Sequence, residues 1–184
     1  ESPDTAALNI FYTGMYHAFL QPNLFNDCNK DYRGTDKKEY TGADFDNYTV
    51  FSLWDTYRAA HPLYTILQPE RVPDFIRSML AIYEQQGLLP VWHLYGSDTK
   101  EMIGIQSVPV IADAILKGVP GFDYEKAFEA MKSSMLSNYK GLEYLKEGNY
   151  IPADREKESV AKGLEYAIAD WGVAQVAKKL GKEE

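Results

Sequence analysis

With 184 residues, 45% of them hydrophobic and 25% charged, the chain has the length and balance of one soluble globular domain able to bury a core. A formal charge of −8, with no dense Lys/Arg cluster, argues against nucleic acid and anionic membrane surfaces as partners, because phosphate binding needs a basic patch. No apolar run approaches the roughly 18 residues of a membrane span. The start ESPDTAALN has neither the basic nor the apolar region of a signal peptide, so either a leader has been removed or the sequence is internal to a longer one.

Two further features of composition carry expectations. Cys28 is the single cysteine; it can form no internal disulfide, has no ligand-spaced neighbours, and is expected as a small buried apolar residue. The fourteen tyrosines lean toward carbohydrate, since aromatic rings with a polar handle stack on sugar faces, although most aromatics in any chain serve the core.

In chain order, a long segment over 21–52 leads to the first of five helical patterns. Residues 53–67 (LWDTYRAAHPLYTIL) are mostly apolar but hold Asp55, Arg58 and His61, with Pro62 expected to kink or restart the helix. Asp55 and Arg58 stand at i, i+3 spacing and can form an ion pair. Residues 70–86 put Val72, Phe75, Ile76, Met79, Leu80 and Tyr83 on one stripe, and Gly87 ends the helix. Residues 106–117 (QSVPVIADAILK) are apolar on nearly every side, which predicts burial all round. Residues 122–137 form a second half-exposed helix through Tyr124, Ala127, Phe128, Met131 and Met135, with Asp123 as N-cap. Residues 158–179 carry Val160, Leu164, Ile168 and Trp171 on one face; the other face, through Glu158, Ala161, Glu165, Ala169 and Gly172, is small apart from two acids.

The order therefore reads buried, exposed, buried, exposed, buried. That alternation fits a double ring of helices, inner against outer, and a helical solenoid would read similarly. The exposed-to-buried links, about 87–105 and 138–154, are long, and long connections in compact domains are often functional. Both deliver the chain to the start of a buried helix, so they and 21–52 are expected to gather at one end.

The candidate chemistry at that end is acidic. Asp55, Asp98, Asp154, Glu158 and Glu165 fall there, beside Trp54, Trp92, Arg58 and His61. Paired carboxylates are what glycoside hydrolysis requires, one to protonate the leaving oxygen and one to activate water. Each has a plainer reading. Glu158 and Glu165 can pair with Lys162 on a helix surface, and Asp98, after the Gly96-Ser97 turn, can cap that turn through backbone N–H groups. His17, His61 and His93 lack zinc-site spacing, and no GxSxG, P-loop or GxGxxG motif occurs.

Four stretches, FYTGMYHAFLQPN, FSLWDTYRAAHPLYTIL, LPVWHLYGSDTKEMIGIQSVPVIADAILKG and IPADREKESVAKGLEYAIADWGVAQVAKKLG, resemble successive signatures of glycoside hydrolase family 92 over about residues 9–181. The resemblance implies a mainly α fold, part of an (α/α)6 barrel of about three inner/outer hairpins. The family's N-terminal β-sandwich and the rest of the barrel lie outside this sequence. It also implies a calcium-dependent, inverting exo-α-mannosidase acting on mannoside glycans. The setting it implies is secreted, periplasmic or cell-surface, in glycan-degrading bacteria. On the matching positions, Asp98 stands where the family has its catalytic acid, as Asp in place of Glu, followed by Thr99. Trp54, Asp55 and Arg58 in LWDTYR, together with Trp92, become pocket wall and anchor. Glu158 matches the acid of a substrate-contacting His-Glu pair whose His is Lys157 here. The catalytic base and part of the calcium site belong to a downstream motif absent from this sequence. Two other readings remain at this point: a catalytically impaired mannoside-binding relative, and a helical scaffold or interaction module.

Overall fold

In the computed structural model, which describes residues 3–182, the chain opens with α1 (Thr5–Ala18). It then runs through β1 (Asn23–Leu24), β2 (Tyr32–Arg33), β3 (Glu39–Tyr40), β4 (Tyr48–Thr49) and β5 (Phe51–Ser52). Next come α2 (Leu53–Thr56), α3 (Ala60–Leu67), α4 (Val72–Gln86) and β6 (Trp92–His93), then α5 (Ser107–Lys117), α6 (Tyr124–Met135), α7 (Leu142–Gly148) and α8 (Ser159–Lys179). The strands form three two-stranded antiparallel pairs, β1 with β4, β2 with β3, and β5 with β6. The architecture is mainly helical, as expected.

The five predicted helices are present, and their ends have local causes. Asp123 accepts a hydrogen bond from the Lys126 N–H at 3.0 Å and caps α6, while Gly87 and Gly118, at φ 75° and 77°, close α4 and α5. Only glycine enters that left-handed region without cost. Pro73 sits in the first turn of α4, where its missing N–H has no helical partner to lose. Pro62 marks a restart, one of the two outcomes expected of it. The helix is interrupted earlier, at residues 57–59, and Pro62 lies in the first turn of α3. Helices α1 and α7 were not among the predicted ones.

The helices make two layers. α3, α5 and α8 touch in series with α5 between the others, and α4 and α6 pack on each other and on α5. α5 is buried on almost every side, through Val108, Val110, Ile111, Ala112, Ala114 and Ile115, because it has neighbours on every side. α4 and α6 bury most of the predicted stripes, and with them Ser78, Ala81 and Ile82 of α4 and Ala130 and Ser134 of α6, while Tyr83 and Tyr124 stay partly exposed.

The edge helices depart from the expected alternation. α8 turns its small face inward, burying Glu165, Ala169 and Gly172 against its neighbours, while Val160, Leu164, Ile168 and Trp171 are exposed. α3 buries only His61 and Tyr64. α1 buries nothing and exposes Ile10, Phe11, Tyr12 and Tyr16. A helix flanked on one side only keeps one apolar face open. Cys28 is also exposed, on the 21–52 segment, and not in the core; hydrophobic character does not bury a residue where the chain has no second layer.

Candidate active site

The three long segments meet at one end, as their lengths suggested. The Lys37 ammonium donates to the Gly96 carbonyl at 2.6 Å, and the Tyr95 N–H donates to Thr49 Oγ1 at 2.7 Å. From the other side, the Lys140 ammonium reaches the carbonyls of Lys100 and Met102. Non-glycine residues in left-handed backbone recur in these segments, among them Val50, Tyr95, Lys100, Met102 and Lys140, and again at Glu158 just beyond the last. Val50 is buried and β-branched, and such a conformation costs of order 1–3 kcal/mol, sustained by the surrounding packing and met most often at functional sites.

The aromatic wall begins where β5 pairs with β6, in a register that sets Ser52 opposite Trp92 and Phe51 opposite His93. Trp54 and Asp55 follow directly in α2. Ser52 Oγ donates to Asp55 Oδ2 at 2.5 Å, which leaves the carboxylate at the exposed start of the helix. Behind this wall His93 Nδ1 lies 3.1 Å from Thr49 Oγ1. That hydroxyl also accepts from Tyr95 N–H, and burial pushes the His93 pKa down to about 4, so the imidazole is neutral at neutral pH.

Asp98 is occupied as a brace. Its Oδ1 accepts from the N–H groups of Trp92 and Lys100, each at 3.0 Å. Its Oδ2 accepts from Val91 N–H at 3.0 Å and Gln86 Nε2 at 3.1 Å. Two oxygens offer about four lone-pair sites, and all four have donors. The plainer reading of this aspartate, a turn cap, describes the geometry, and the expectation of a proton donor disagrees with it. Thr99 completes the same turn: its N–H donates to the Trp92 carbonyl at 2.9 Å and its hydroxyl to the same carbonyl at 3.1 Å.

The expected Asp55–Arg58 ion pair is replaced by a longer-range one. The Arg58 guanidinium pairs with Glu165 of α8 at 2.9 Å and lies over the Tyr57 ring at 4.6 Å and the Trp54 ring at 5.5 Å from their centroids. Glu165, only 8% exposed, also accepts from Tyr57 Oη at 3.1 Å and Gln106 Nε2 at 2.7 Å. It does not pair with Lys162. That lysine is buried and is held by Glu156 and by the Lys157 carbonyl at 2.8 Å. Burial first, and then the Glu165 carboxylate, raise the Tyr57 pKa, so the phenol remains a donor.

Glu158 stands at the N-cap of α8 at φ 55°; its side chain is exposed, with Lys162 Nζ at 3.9 Å. Asp154 faces solvent beside Arg155. His61 is in the core, among Phe51, Tyr64 and Phe75. The structure thus gathers Trp54, Arg58 and Glu165 in one network, joins Trp92, Asp98 and Thr99 in one turn, and leaves Asp154 and His61 outside both. Tyr57 and Gln106 were missed. The one available signal was a polar Gln opening an otherwise apolar, wholly buried helix. Among the described residues no group of three or more His, Cys, Asp or Glu is placed to hold a metal ion.

This geometry can be set beside known proteins. The model of the glycosyl hydrolase family 92 catalytic domain matches residues 1–184. The family GH92 α-mannosidase BT3965 from Bacteroides thetaiotaomicron superposes with a TM-score of 0.92 at 52% identity, over 94% of this chain and 24% of that one. The same protein has been solved in complex with mannoimidazole. The inverting mannosidase BT2199 from Bacteroides thetaiotaomicron VPI-5482 matches with a TM-score of 0.87 at 35% identity, over 96% of this chain and 25% of that one. Among curated proteins no sequence matches. The chain thus spans about a quarter of the length of these solved structures, and on this evidence it belongs to glycosyl hydrolase family 92.

Proposed function

We propose that the chain is part of an α-mannosidase that removes terminal α-linked mannose from glycans by inverting, single-displacement hydrolysis. The observation that carries this is the 52% identity and 0.92 TM-score to a GH92 α-mannosidase across 94% of the chain. In the proposed fold the two helical layers are an arc of an (α/α)6 barrel, and the loop end is its working face. Membership in a glycoside hydrolase family favours this over a bare helical scaffold.

Within the reaction, this chain contributes the sugar-binding wall. Trp54 and Trp92 offer ring surface to a pyranose, and the Asp55 and Glu158 carboxylates, both exposed, accept from sugar hydroxyls. Arg58 donates from its place over Trp54. Water attacks the anomeric carbon, the glycosidic bond breaks, and the leaving oxygen takes a proton, so that mannose departs with inverted configuration. The carboxylate that activates the water is proposed to come from outside these residues. Asp98 is the positional choice for the leaving-group proton, but donation requires at least one of the four N–H bonds to its oxygens to open first. Among the described residues no group of three or more His, Cys, Asp or Glu is placed to hold calcium, an ion that the family resemblance alone supports. The same resemblance supports a secreted, periplasmic or cell-surface setting.

The test is release of mannose from α-mannosides by the full-length protein, with the first-formed anomer read by proton NMR. The β anomer is expected, and an α anomer or no release overturns the reading. A mannoside-binding relative with impaired catalysis is a second reading, favoured by the saturation of Asp98. It would bind mannoimidazole without turning over α-mannosides.

A further inference from the structure

Among the described residues Glu165 is the one carboxylate that is both buried and engaged by side chains from two other parts of the fold. The segment just after α2 sends Tyr57 and Arg58, and the residue before α5 sends Gln106. A carboxylate accepts only, so Gln106 must turn its amide nitrogen toward it. The Gln106 oxygen is then left buried with no partner, a cost of roughly 1–3 kcal/mol for an unmade bond. Gly104 gives the amide its room: a Cβ there would stand 2.3 Å from Gln106 Nε2 and 3.2 Å from Glu165 Cβ.

Three donors around one carboxylate fix its orientation. The guanidinium it holds is half exposed and lies over both Trp54 and Tyr57. Without Glu165, that guanidinium would keep only its contacts with the two rings and would have no ionic partner to set its direction. Resting on the proposed mannoside function, we infer that Glu165 is a positioning residue for the sugar-binding wall, acting on substrate through Arg58 and Trp54 without touching it. A brace that only joined α8 to α5 would need neither the guanidinium nor its place over the two rings.

The experiment compares wild type, Glu165→Gln, Arg58→Lys and the double variant of the full-length protein, with para-nitrophenyl α-mannoside as substrate and Tm measured for each. Glu165→Gln preserves shape and removes the charge that orients Arg58. KM is expected to rise at least tenfold with kcat held within about threefold, the signature of lost binding common to ground and transition states. The double variant should be no worse than the poorer single one. A lowered Tm with an unchanged KM, or additive effects in the double variant, overturns the inference while leaving the mannosidase reading intact. A wild-type protein that neither cleaves this substrate nor binds mannoimidazole overturns both.

Discussion

Gly172 of α8 and Ala112 of α5 meet at the centre of the helix packing: a Cβ on Gly172 would lie 3.2 Å from the Ala112 Cβ and 3.9 Å from Pro109 Cα. Close approach of the two helices needs a residue without a side chain at this point. Gly172→Leu should force them apart, at the roughly 1–3 kcal/mol typical of overpacking. A Tm lower by several degrees is expected, and an unchanged Tm would refute the close contact.

The same packing choice leaves Leu164 and Ile168 exposed beside Trp171, and contiguous apolar surface of this kind drives association. The isolated 184-residue chain should therefore self-associate at micromolar concentration in sedimentation velocity. Leu164→Glu together with Ile168→Glu should return it to monomer. A wild-type chain that stays monomeric throughout removes the idea.

Asp98→Asn tests brace against acid. Asn would turn an NH2 toward N–H donors that now meet an oxygen, and an unmet buried donor costs about 1–3 kcal/mol. The expected result is a lowered Tm, with cleavage of α-mannobiose and of an aryl α-mannoside reduced in parallel. If Tm holds and only α-mannobiose cleavage is lost, the proton comes from Asp98.

Asp55→Asn separates a sugar contact from a helix contact. Ser52 Oγ, which donates to Asp55, can donate equally to an Asn oxygen, so stability should hardly change. Substrate use in the full-length protein should fall about tenfold if the carboxylate grips sugar hydroxyls. Equal kcat/KM would assign Asp55 to structure alone.

Acid should unfold the protein in a defined window. Burial pushes both His61 and His93 down to about 4, whereas an unfolded histidine titrates near 6.5. Between these values the unfolded chain binds protons that the native one does not. The contribution is whole above about pH 6.5 and declines as pH falls toward 4, on the order of 3 kcal/mol per histidine. Denaturant midpoints measured from pH 7 to 4.5 should fall accordingly, and His61→Leu should flatten the slope. Identical slopes in the two proteins would exclude His61 as the cause.

Local structure was legible in the order of the residues. Apolar periodicity named the buried stripes of α4 and α6, Asp123 and Gly87 marked their ends, and the all-round apolar character of 106–117 marked the helix at the centre. These features depend on residues within a turn or two of one another, and a linear pattern records such distances. Link length likewise foretold that 21–52, 87–105 and 138–154 would converge. The tertiary structure decided what depends on distant neighbours. α8 had two plausible faces, and close packing on Ala112 chose the small one over the larger apolar one. Arg58 had Asp55 three residues away and instead took Glu165, 107 positions further on, because burial and two further donors had already fixed that carboxylate. Asp98 looked like a cap or an acid, and the backbone N–H groups around it filled its oxygens. Each outcome is a competition between partners brought together only by folding, and spacing along the chain does not record it.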